Sequence, residues 1–175
     1  KEIYSLRNEI LEGGEVISVA RDFAANVAEA LCHEYAPERG EWDLDGLGEQ
    51  MGYHFGLRPT HEQLTAGGSS PQALADRVEA MVDEAFEAKH QRLGQELFEA
   101  HCRILLLRVL DDQWKDHLTA LEHLRDGIGL RGYGQRDPKQ EYKRESFDLF
   151  AGMKERIENE GTRLVFLVEP ITAEQ

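Results

Sequence analysis

Apolar residues recur at intervals of three and four along most of this chain, the spacing of amphipathic helices. Ile3, Leu6 and Ile10 predict a helix over residues 1–12, which Gly13-Gly14 breaks. Val16, Val19, Ala20, Phe23, Val27, Ala30 and Leu31 predict a second helix from about Glu15 to Tyr35, ended by Ala36-Pro37. Residues 37–70 change character. Glycines 40, 46, 48, 52, 56, 67 and 68, with Pro37 and Pro59, predict short helices near 45–54 and 60–66 joined by loops. Trp42, Leu44, Leu47, Met51, Tyr53, Phe55 and Leu57 would form a small satellite core there.

Ser70-Pro71 reads as an N-cap followed by proline at the first helical position. From Pro71 to about Ile128 there is no further proline, and Gly94 is the only glycine before Gly127. This predicts one very long helix, or two nearly collinear ones hinged near Gly94. Its later apolar stripe is Leu106, Leu110, Gln113/Trp114, Leu118, Leu121, Leu124 and Ile128. A glycine-rich turn spans Gly127 to Pro138, and Asp137-Pro138 restarts the chain as N-cap and first helical residue. The next stripe is Tyr142, Phe147, Phe150, Met153, Ile157, Leu164 and Val168, which Pro170 stops. Gly161 lies within that stretch and lowers helix propensity by about 1 kcal/mol relative to alanine. Two facing stripes on either side of a link of about nine residues, longer than a simple helical hairpin needs, predict an antiparallel helical pair. The expected fold class is all-α: no strand pattern competes, and there is no internal repeat.

Composition narrows the function classes. Charged residues make up 31% of the chain and aromatics 8%, which suits long solvated helical faces. The net charge of −14 argues against a general nucleic-acid binder, since phosphate contact needs a basic surface. From Arg125 to Glu145, six Lys/Arg face four Asp/Glu, a local +2 that leaves −16 on the rest. The turn is therefore a mildly basic spot on an acidic body. No apolar run approaches the roughly 20 residues of a membrane span. Cys32 and Cys102 form no disulfide framework, and a cytosolic compartment fits them best. The N-terminus has no signal peptide and no initiator Met, so the chain reads as a piece of something longer.

Candidate chemistry is sparse. A di-metal carboxylate bundle needs two Glu-x-x-His motifs, and only Glu87-Ala-Lys-His90 is present. Cys32-His33 and His101-Cys102 would make a zinc site only if tertiary structure united them. His117, one turn from Trp114, reads as a helix-packing histidine and not as a base. There is no phosphate-binding loop and no nucleophile elbow. Lys139 to Glu145 interleave both signs and read as an exposed first helical turn. The turn itself exposes Leu130, Arg131 and Tyr133 among Gly129, Gly132 and Gly134. On the residues alone, a partner-contacting loop and a plain connector remain equally open. A helical adaptor that binds a partner through this tip, and a metal-dependent helical-bundle enzyme, are the readings open without further comparison.

The segment Asp112-Gln-Trp114-Lys-Asp-His117-Leu118, followed by Leu124 to Phe147, resembles the two-helix finger of the SecA family, bacterial preprotein translocase ATPases. Ile3-Tyr4-Ser-Leu-Arg7 and Ile10-Leu11 resemble the start of that family's scaffold helix. The match is specific over about 102–153, good over 1–12 and weak over 37–95. Gly134 stands where the family would have alanine.

The resemblance implies a long hairpin packed on a scaffold helix, with a smaller helical wing inserted. It divides the chain into scaffold (1–36), wing (37–93), scaffold with finger (94–170, tip about 127–137) and tail (171–175). Leu130, Arg131, Gly132, Tyr133, Gly134 and Gln135 would be the polypeptide-contacting tip. Tyr4, Arg7, Trp114, His117, Leu118, Leu121, Tyr142, Phe147 and Phe150 would pack finger and scaffold. The implied partners are the SecYEG channel, an unfolded preprotein and the family's motor domains. The module would restrain ATPase activity without being an enzyme itself. ATP and magnesium would bind outside this chain, no cofactor or metal is expected within it, and the location would be cytoplasmic, peripheral at the inner face of the plasma membrane.

Overall fold

A computed structural model describes residues 1–12, 15–131 and 137–171. The described residues form seven helices and no strand: α1 (Glu2–Leu11), α2 (Val16–Tyr35), α3 (Leu44–Phe55), α4 (His61–Thr65), α5 (Pro71–Leu93), α6 (Gln95–Arg131) and α7 (Pro138–Leu167). The all-α expectation holds. Local chemistry explains the helix starts. Ser70 Oγ accepts from the Ala73 amide, with Pro71 at the first turn. Thr60 and Gln63 form a reciprocal capping box ahead of α4. Asp137 accepts from the Lys139 amide ahead of Pro138. At the end of α3, Gly56 takes a left-handed conformation with φ 69°, the usual glycine stop.

Two departures from the sequence reading matter. First, α5 and α6 are neither continuous nor collinear. Phe86 and Phe98 are twelve positions apart, which on a straight helix would separate them by about 18 Å; their ring centroids lie 5.1 Å apart. The chain turns sharply at Gly94, whose φ of 81° and ψ of 161° suit glycine alone. The elbow lets two apolar rings bury against each other where a straight helix would hold them apart. Second, α6 runs on through Gly127 and Gly129 to Arg131, so the glycine-rich turn begins later than expected. Ile128 remains buried, and its burial offsets the roughly 1 kcal/mol that each glycine costs a helix.

Two apolar cores hold the helices together. The first joins α1, the start of α2, Phe86 of α5, and the facing sides of α6 and α7, with Phe23, Leu106, Leu110, Met153 and Ile157 at its centre. The second joins the rest of α2 to α3, α4 and the start of α5, with Leu31, Leu47, Met51, Phe55, Leu74 and Val78 buried. Trp42, Leu44 and Leu57 pack against this second core, whereas Tyr53 is exposed. The expected satellite core is thus largely present, but it shares α2 and α5 with the first.

Candidate functional site: the helical hairpin

Among the described residues, the most extensive packing is between α6 and α7. With 37 and 30 residues, they run about 55 and 45 Å. Inward positions on α6 follow the spacing four, three, four, three, four: Leu110, Trp114, His117, Leu121, Leu124, Ile128. Leu110, His117, Leu124 and Ile128 are buried, and Trp114 and Leu121 are half-buried. Opposite them, Met153 and Ile157 are buried, while Phe150 and Tyr142 are half-buried. His117 lies between two rings, 5.5 Å from Trp114 and 5.9 Å from Phe150 by centroid. Burial pushes its pKa down, and Arg156 adds to that. Arg156 Nε in turn donates to Gln113 Oε1 at 2.9 Å, tying the two helices at the same level. Arg7 reaches from α1 to Asp111 of α6 at 3.1 Å.

Three of the residues expected to pack, Tyr4, Leu118 and Phe147, are exposed. Leu118 sits one step past His117, about 100° around α6, so the histidine takes the inward slot. Phe147 is six residues from Met153, which turns it about 120° off the inward line. Tyr4 flanks Ile3, which with Ile10 forms the buried side of α1. At the far end Leu130 is 83% exposed. Gly132, Tyr133, Gly134 and Gln135 lie outside the described residues, as does the Arg131 side chain.

The near end of the hairpin is built with groups that periodicity did not single out. Lys89 of α5 is buried, and its ammonium donates to the carbonyls of Val165 (2.7 Å), Phe166 (3.2 Å) and Val168 (2.7 Å). Val165 O is also 3.3 Å from His101 Nε2. Arg92 binds both carboxylate oxygens of Glu169 at 3.0 and 2.8 Å, which holds that carboxyl below its usual range. Burial lowers the Lys89 pKa, and the nearby Glu169 carboxylate opposes the shift. A signal existed: Lys89 continues the stripe Leu74, Val78, Val82, Phe86, and a lysine on an apolar stripe needs partners. By propensity Gly161 is only a weak helix former. It is buried, and a Cβ there would come within 2.9 Å of Leu106 Cδ2, so glycine permits the close approach of α7 to α6.

Cys32 and Cys102 are buried in different cores, their thiols pushed up to about 11 and about 12 by burial. Both stay protonated and unreactive near neutrality. Among the described residues no group of three or more His, Cys, Asp or Glu could hold a metal ion, and no helix is long and apolar enough to cross a membrane. What the described residues define is a helical scaffold carrying a long paired-helix arm.

That class has a family. Residues 1–169 match the model of the SecA wing and scaffold domain, and the chain belongs to that family. It is similar to proteins named protein translocase subunit SecA. The one from Cupriavidus pinatubonensis is 40% identical over 174 residues, 97% of this chain and 19% of the relative. Those of Paraburkholderia xenovorans and Ralstonia nicotianae are 39% and 41% identical, covering 100% and 96% of this chain. In the relatives this chain corresponds to only 18 to 19% of the length.

Proposed function

We propose that this chain is the non-catalytic wing and scaffold module of a protein-translocating ATPase, and that α6 and α7 form the arm which delivers motor movement to a polypeptide. The observation that carries this reading is the pair of long, mutually packed helices ending at an exposed Leu130, in a chain whose relatives are translocase subunits. A translocating polypeptide presents every side chain in turn, so whatever touches it must tolerate any sequence. An aromatic ring beside aliphatic carbon gives non-directional contact, and Leu130 with Tyr133 supplies both. Arg131, Gly132, Gly134 and Gln135 complete the proposed tip.

The proposed division is scaffold 1–36, wing 37–93, scaffold with finger 94–170. ATP and magnesium would be bound by motor domains beyond this chain, whose hydrolysis the scaffold restrains. The exposed Tyr4, Leu118 and Phe147 would pack against those domains. The SecYEG channel and an unfolded preprotein are the proposed partners, and the inner face of the bacterial plasma membrane the place. The test replaces Tyr133 with glycine in the full-length protein. Transport should slow while ATP hydrolysis continues; transport at the wild-type rate with ATPase unchanged would remove the gripping role.

A further inference from the structure

We propose that Lys89 is the pin of the arm's pivot: it fixes the C-terminal turn of α7 to α5 and thereby sets where the distant tip points. This rests on the reading of α6 and α7 as a presenting arm. The last carbonyls of any α-helix lack partners within the helix and carry the negative end of its dipole. An ammonium has three donors and no acceptor. At Lys89 all three are matched by carbonyls, those of Val165, Phe166 and Val168.

A leucine or methionine here would avoid desolvating a charge but would take this donor from the carbonyls of Val165, Phe166 and Val168. Directional bonds supply what apolar packing lacks, a single register of α7 against its neighbour. Further contacts converge on the same turn. His101 of α6 reaches Val165 O. The Phe166 ring lies 5.2 Å from Phe55 of α3 and 6.0 Å from Phe86 of α5. Arg92 holds Glu169 just beyond the helix. The opposite end, at Pro138, is 27 positions away, about 40 Å. Over that length about 5° of play at the pivot becomes about 3.5 Å at the tip, which is the span of one residue in an extended polypeptide.

The experiment places spin labels at exposed Gln72 on α5 and exposed Lys139 on α7 in the full-length protein, and compares wild type with Lys89→Met. The expected result is a distance distribution broader by about 3 Å, with transport at least about five-fold slower. Lys89→Arg, which keeps charge and donors, should recover much of both. Leu74→Ala destabilises α5 without touching the pin and should keep the wild-type width. An unchanged width in Lys89→Met, or equal broadening in Leu74→Ala, overturns the inference and leaves Lys89 a helix cap. If Lys89→Met does not fold, the exposed pair Arg92→Ala with Glu169→Ala gives the reading: partial broadening supports the pin and none overturns it. Broadening with transport at the wild-type rate keeps the pin and sinks the presenting-arm reading instead. A neutral Tyr133→Gly result would sink the gripping role and leave the distance measurement standing.

Discussion

Gly161 and Gly127 both lie inside helices of the hairpin, yet alanine should affect them in opposite directions. A Cβ at Gly161 would crowd Leu106 Cδ2 at 2.9 Å and Phe23 Cδ2 at 3.5 Å. Leu106 is itself buried and has little freedom to move aside, so Gly161→Ala should cost about 1 to 2 kcal/mol. A Cβ at Gly127 meets nothing within 4 Å. Gly127→Ala should therefore stabilise the chain by about 1 kcal/mol; urea denaturation of the two variants checks both signs. Histidines give the second prediction at this scale. Burial lowers the pKa of His54, His101 and His117. Unfolded, each titrates near 6.5, so the unfolded chain takes up protons first as pH falls. Stability from these groups is full above about pH 6.5 and is lost as pH falls toward their folded values. Denaturation midpoints should fall between pH 7.5 and 5.5, and His117→Phe should flatten part of that slope; an unchanged slope would remove His117 from the account. Nearness to Trp114 makes His117 read as a packing residue, and it lies buried between Trp114 and Phe150. The sequence could not place the Lys89 partners, because Val165, Phe166 and Val168 offer backbone oxygens that no side-chain pattern encodes.

Elements differed in how far their ends could be read. Ser70-Pro71, Thr60 with Gln63, and Asp137-Pro138 act within one turn, so their side chains announce the helix starts. The elbow between α5 and α6 is different. A lone glycine inside a helical pattern fits a straight helix, a hinge or a sharp turn, and the choice is made by Phe86 meeting Phe98, a tertiary event. The extension of α6 past Gly127 was hidden for a related reason. Propensity marks glycine as a stop, while the burial of Ile128 depends on α7. The elbow gives a prediction at this scale. Gly94 has open space around its Cα, so any effect of a side chain there comes from its φ of 81° and not from crowding. Gly94→Ala should destabilise by roughly 1 to 3 kcal/mol, and hydrogen exchange should show the loss concentrated on the turns carrying Phe86 and Phe98. Uniform loss along α5 and α6 would place the strain elsewhere.

At the scale of the molecule, the sharing of helices between cores decides how the chain should unfold. The division at 36/37 and 93/94 is the one that the family resemblance implies. Buried side chains of α2 and of α5 are each shared between the two cores. Val16 and Phe23 of α2 sit in one core and Val27 and Leu31 of the same helix in the other, and α5 divides likewise between Phe86 and the run Leu74, Val78, Val82. Two helices cannot melt in their middles without giving up packing on both sides, so neither core can be lost at little cost to the other. The 175-residue chain should therefore unfold in one cooperative transition. Leu74→Ala in the second core and Leu106→Ala in the first remove fully buried side chains and should each cost about 2 to 5 kcal/mol. Both should shift the same midpoint, whether read by Trp42 fluorescence near the second core or Trp114 fluorescence in the hairpin, each isolated with the other tryptophan replaced by phenylalanine. If Leu74→Ala moves only the Trp42 signal, the cores are independent, and a pivot at Lys89 would then join two bodies that already move separately. If both signals move together, the arm and the body that anchors it form one folding unit, as the proposed lever requires.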